Sequence, residues 1–353
     1  GIFISILFYH FKDVIYQKRL KRKKEKWEKT FFEFLNKEIT LNEATNCFSK
    51  NYNYLYDFFK PYLKNLKGDD FVRIKSLIHN LEMDKYYLTK LKKGSKKKKV
   101  KAAVFLGIIK EKKAIPYLKS YIQLDDELVR RSSLWAIAEI GETDLYLDVI
   151  KVVLNNTSMT FEALTELSIR FGEEICFLIN DLLQKHFAGK IDFKNKFNVD
   201  DYLILSLFID VLGYFRFIEG LELLEKILKN NNDYNDEVYI HVFKALVRID
   251  LPVNINLENF LNHQNWVIRS QVARYIGTIK VEKYNDELLE LLKDPKWWVR
   301  YYSAEALFKI GKEELLIKRV SSDQKSSEIS NYILDLYNFK YLCLFFYQKT
   351  LDS

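Results

Sequence analysis

Apolar and small residues from 299 onward fall at Val299, Tyr302, Ser303, Ala306, Leu307 and Ile310. That three-and-four spacing puts them on one face of an α-helix and turns the intervening polar residues outward. Asp294 is placed to cap the first turn, Pro295 suits a position whose N–H needs no partner, and Gly311 suits the left-handed residue that ends the helix. Small side chains at Ser303 and Ala306 predict close approach by a second helix, and "KEELLIKRV" supplies one directly afterwards. The unit is a helical hairpin.

The pattern returns along the chain. "ELVRRSSLWAIAEIG" sets Val129, Ala136, Ile137, Ile140 and Gly141 where Val299, Ala306, Leu307, Ile310 and Gly311 stand. "WVIRSQVARYIGTIK" repeats it from Ile268 and "KKVKAAVFLGIIK" from Lys98, and these two share an extra glycine, Gly277 and Gly107. Fainter copies begin near Val72, Thr160, Asp201 and Val238, so that successive leads are 26, 31, 31, 41, 37, 30 and 31 residues apart. A period near 31 residues marks stacked repeats. The longest interval holds "HFAGKIDFKNKFNVD", read as a longer inter-repeat loop.

The motif D-x-x-x-x-V-R-x-x-A-x-x-A-L-x-x-I-G resembles the short bacterial form of the HEAT repeat, across residues 69–320. The resemblance implies an all-α fold: a right-handed, armadillo-like α-solenoid of HEAT-like helical hairpins, with an inner curve used for binding. It implies no single activity, because the family spans scaffolds and a few enzymes. A solenoid has no single core to outgrow, so 353 residues form one array rather than several globules. Residues 1–26 read as an apolar then basic N-terminal segment, 27–68 as an N-terminal helical cap, 69–320 as the repeats and 321–353 as a C-terminal capping helix. In that last helix Phe345, Phe346 and Tyr347 are more aromatic surface than one buried face holds.

Charge changes the picture. The net charge is +8, yet residues 12–26 alone carry eight Lys/Arg against two acids and residues 92–113 carry ten lysines against one, leaving the rest acidic. From residue 144 onward the candidate second helices carry twelve acids and seven bases. A groove that tracks a phosphate backbone needs the opposite balance. We therefore expect the basic residues Lys18, Arg19, Lys21, Arg22, Lys23, Lys24, Lys96, Lys97, Lys98 and Lys99 to face an anionic membrane surface, against the simpler reading of the second cluster as a solvated inter-repeat loop. "GIFISILFYHF" followed by "QKRLKRKKEKW" has the order of a membrane helix and its inner flank. Eleven residues reach only ~16 Å at the helical rise, short of a ~30 Å hydrocarbon core. The expectation is a cytoplasmic protein anchored through a longer N-terminal helix, against the simpler reading of residues 1–16 as a cap on the open end of the stack.

Catalytic chemistry is missing from the pattern. His10, His79, His186, His241 and His263 are scattered and none precedes Glu, so the His-Glu pairs of HEAT-like metal hydroxylases have no counterpart. There is no HExxH, phosphate-cradling glycine loop or nucleophile elbow. Cys47, Cys176 and Cys343 are far apart and read as buried thiols. We expect no enzyme activity, cofactor or metal. Trp266 and Trp297 share a register 31 residues apart, and with Arg269, Trp298, Arg300 and Tyr301 they compose an aromatic and guanidinium patch of the kind found in protein interfaces. Packing between repeats competes with that use. The expected function is a non-catalytic scaffold or adaptor for a protein partner on the cytoplasmic side of a membrane. The alternative is a nucleic-acid-binding or DNA-repair solenoid.

Overall fold

A computed structural model describes residues 2–48, 51–156, 159–198, 200–230, 234–319 and 323–351, with the side chains of 2–13, 19, 20, 22, 156 and 338–351 outside the described set. Among the described residues every regular element is helical. The chain divides into two compact units, residues 1–159 with 166–172 and residues 160–165 with 173–353.

The first unit begins with α1 (Ile2–Leu35), one helix that runs through both the apolar stretch and the basic run. Its second half is packed: Trp27, Phe31 and Phe34 are buried at the spacing of one helix face. α2 (Leu41–Cys47) opens on a capping box between Thr40 and Glu43, and α3 (Tyr52–Asn65) brings Phe58 and Phe59 against Phe31 and Phe48. Further forward on α1, Tyr16 lies against Tyr54 of α3, ring centroids 4.6 Å apart, and its hydroxyl donates to Asp57. There follow α4 (Gly68–Asn80), α5 (Met83–Lys93), α6 (Lys96–Ile108), α7 (Ile115–Tyr121), α8 (Glu127–Ile140) and α9 (Tyr146–Asn156), and then α10 (Phe161–Ile169), of which 161–165 belong to the second unit and 166–169 to the first. The second unit continues with α11 (Ile175–Phe187), α12 (Phe193–Phe197), α13 (Asp201–Tyr214), α14 (Leu221–Lys229), α15 (Asp236–Ile249), α16 (Glu258–Leu261) and α17 (Trp266–Ile279). It closes with α18 (Asn285–Leu291), α19 (Trp297–Ile310), α20 (Glu313–Arg319) and α21 (Gln324–Leu351).

Two local devices set the repeat. First helices end on a residue in the left-handed conformation: Lys110, Gly141, Gly172, Arg216, Asp250, Lys280 and Gly311. First helices of neighbouring repeats also cross at a glycine in three places. A Cβ on Gly107 would stand 2.8 Å from Ala136 Cα, one on Gly213 2.6 Å from Ala245 Cα, and one on Gly277 2.7 Å from Ala306 Cα. All three crossings pair the same two register positions.

Several sequence expectations are corrected. Ala306 packs closely on Gly277 of the preceding repeat's α17. The left-handed residue and the glycine move the Asp201 lead to Ile204, because Gly213 stands nine residues after Ile204 as Gly277 does after Ile268. α19 starts at Trp297 with Lys296 at its cap. Asp294 accepts from Lys296 N at 2.7 Å, while its other oxygen holds Arg269, so it ties the loop rather than capping the first turn. Within the interval 186–200, read as a longer inter-repeat loop, α12 buries Phe193 and Phe197, and His186 stacks on Phe193 with centroids 4.2 Å apart. Cys47 is exposed in the last turn of α2, where Ala44 and Phe48 occupy the buried side; Cys176 is buried as expected. Phe345, Phe346, Tyr347 and the Cys343 thiol lie outside the described side chains. No described helix is long and apolar enough to cross a membrane.

Candidate functional site

The arginines of the repeat motif serve the loops. Arg130 Nη1 donates to Leu124 O at 2.9 Å, Arg269 Nη1 to His263 O at 2.7 Å and Arg300 Nη1 to Asp294 O at 2.8 Å, each reaching six residues back. Arg269 also forms a two-point contact with the buried Asp294 carboxylate at 2.7 and 2.8 Å. Both arginines expected to meet a partner are therefore occupied inside the fold. Trp266 is half-buried, with Lys296 Nζ 5.9 Å from its ring centroid.

The remaining aromatics of the expected patch converge. Trp297 lies 4.8 Å from Trp298 and 5.1 Å from Tyr301 between ring centroids, and Tyr332 of α21 joins at 6.0 Å from Trp297 and 6.2 Å from Tyr301. Trp298 continues to Tyr302 at 5.9 Å, over which Arg274 sits at 5.5 Å. Trp297, Trp298 and Tyr332 keep 41%, 50% and 49% of their surface exposed. Tyr332 was invisible to the repeat pattern, since it belongs to the helix beyond the last repeat.

In the first unit the two basic clusters meet on α3. Lys23 of α1 lies 5.4 Å from the Tyr54 ring centroid and 5.6 Å from that of Trp27. Lys101 of α6 lies 4.2 Å from the Tyr56 ring and donates to Asn53 Oδ1 at 3.2 Å, and its burial pulls its pKa below the usual lysine range. Lys99 covers Tyr121 at 4.5 Å, and Lys96 pairs with Asp126 at 2.8 Å, holding that carboxyl below its ordinary range. Lys24 pairs with Glu28 at 3.6 Å. Lys18, Lys21, Lys97 and Lys98 are exposed, and the side chains of Arg19 and Arg22 lie outside the described residues.

A further groove of about 880 Å³ opens along the solvent face of the first helices in this unit. Val104 and Ile108 of α6, Trp135 and Glu139 of α8, and Glu166 and Arg170 line it at matching registers. The Arg170 guanidinium lies 5.9 Å from the Trp135 ring centroid and pairs with Glu139 at 2.5 Å and Glu166 at 2.9 Å. Reading positions six and ten after each lead would have found this row.

Stacked hairpins, left-handed residues closing the first helices and glycines at three of their crossings define an all-α helical-repeat protein. Residues 253–327 match the family model of HEAT repeats. No curated protein matches the chain significantly. Among solved structures, an engineered protein is similar at 13% identity and a TM-score of 0.34, over 88% of this chain and 98% of that one. Human deoxyhypusine hydroxylase in complex with glycerol is similar at 16% identity and a TM-score of 0.21, over 90% of this chain and 98% of that one. Likenesses this distant carry no weight for activity.

Proposed function

We propose that this chain is a non-catalytic scaffold that holds a protein partner on the aromatic patch of Trp297, Trp298, Tyr301 and Tyr332, and that it works at the cytoplasmic face of a membrane. The observation that carries the reading is the patch itself: large, mutually packed rings left substantially exposed. Exposed clusters of Trp and Tyr are costly to leave in water and are the side chains that dominate protein interfaces. The lysine-rich surface around α3, extended by the basic run of α1, supplies the membrane contact, since each basic residue near an anionic surface adds about 1 kcal/mol.

The partner reading is tested by placing a photo-crosslinking residue at position 298, and separately at exposed Leu128 as a control, in cells that express the chain. A discrete crosslinked protein at 298 that is absent at 128, and is lost when Tyr332→Ala is added, supports it. Equal labelling at both positions rejects it.

A further inference from the structure

At two junctions between hairpins, the turns after first helices pair opposite charges. Lys112, after α6, faces Glu142, after α8, at 3.2 Å, and Glu282, after α17, faces Lys312, after α19, at 2.8 Å with the signs reversed. At the corresponding junction between α4 and α6 the pattern breaks. Asp84 and Glu111 bring two carboxylates together there, each about 95% buried, at 4% and 5% exposure. The nearest side chain of potential positive charge is His79, in the last turn of α4.

The hydrogen bonding of this trio is incomplete. Asp84 Oδ1 is buried without a hydrogen-bond partner, and its Oδ2 lies 3.7 Å from His79 Nδ1. His79 Nε2 is also buried without a hydrogen bond, and it sits 3.3 Å from Glu111 Oε2. The other Glu111 oxygen accepts from Lys113 N at 3.1 Å, which orients the carboxylate. One donor atom from each of the three residues lies within 4.8 Å of the others.

We propose that His79, Asp84 and Glu111 form a binding site for a divalent transition-metal ion. Two buried carboxylates beside an imidazole are an expensive arrangement in a low-dielectric site, and a dication neutralises both. Zinc–nitrogen and zinc–oxygen bonds of 2.0–2.2 Å in tetrahedral geometry place neighbouring ligand atoms roughly 3.4 Å apart, close to the 3.3 Å between His79 Nε2 and Glu111 Oε2, and the three residues' donor atoms lie within 4.8 Å of one another. An imidazole nitrogen with two carboxylate oxygens suits Zn²⁺ or Mn²⁺. Nε2, directed at Glu111, is the nitrogen available to the ion. Entry is through the open groove of Phe71, Val72, Lys75, Ser76, His79 and Lys110, from which water completes the coordination. The three ligands come from the end of α4, the start of α5 and the turn after α6, so an ion there clasps successive hairpins.

The test uses the full chain freed of metal by chelation, titrated with Zn²⁺ by calorimetry and with Co²⁺ by visible absorption. We expect one saturable site, a ligand-field Co²⁺ spectrum and a raised thermal midpoint. Asp84→Asn and Glu111→Gln, which keep side-chain size and remove charge, should each weaken binding at least tenfold and abolish the metal-dependent rise while leaving the helical circular-dichroism signal intact. Absence of saturable binding by the unmodified chain overturns the proposal, as does binding that both variants retain, which would place the ion elsewhere. Should one variant fail to fold, the other and the unmodified chain still decide the matter.

Discussion

At the scale of the residue, the repeat is punctuated by backbone conformation more than by residue type. Gly141, Gly172 and Gly311 take the left-handed conformation without a Cβ penalty, but Lys110, Arg216, Asp250 and Lys280 occupy the equivalent position at φ between 52° and 60°. A side chain there costs roughly 1–2 kcal/mol, part of which glycine's greater freedom in the unfolded chain gives back. Lys280→Gly should therefore stabilise the protein by about 0.5–1 kcal/mol. The urea midpoint should rise; an unchanged midpoint would mean that the lysine's surroundings already relieve the strain. The glycine copies were readable as helix stops from the sequence, whereas the lysine and arginine copies were not, because nothing in those side chains announces a positive φ.

At the scale of the element, close crossings decide the register. A methyl on Gly277 meets the Ala306 backbone at 2.7 Å, and backbone cannot swing aside as a flexible side chain does. Gly277→Ala should cost about 1–3 kcal/mol by forcing α17 and α19 apart. Adding Ala306→Gly should recover part of the loss, and a double-mutant cycle in urea measures how much. If the two substitutions simply add, the crossing is not the cause. The shared register of Gly107 and Gly277 was legible in the sequence, but that of Gly213 was not. Residues 204–213 of α13 are all buried, so that helix has no polar face from which to set its phase. The buried aromatics of α12 escaped for a related reason: five residues are too few to show a helical period.

At the scale of the whole molecule, the question is what the basic residues near α3 do. Several are already occupied by tyrosine rings and acids, leaving exposed Lys18, Lys21, Lys97 and Lys98 to meet an anionic surface. The full chain should co-sediment with anionic vesicles at low salt, weakly at high salt and not with neutral vesicles. Lys97→Glu with Lys98→Glu should reduce the bound fraction severalfold. Preferential capture by duplex DNA in competition with the vesicles would favour the nucleic-acid reading instead. Period, helix content, hairpin organisation and charge segregation were determined by the sequence itself, because each rests on local spacing that a helix converts directly into a face. Tertiary structure alone decided the rest: the bringing of Tyr332 to Trp297, the use of Arg269 and Arg300 as loop ties, and the meeting of His79 with two buried carboxylates. Those contacts join one helix to another or a helix to a neighbouring loop, and a repeat pattern records which face a residue occupies but not which partner is set against it.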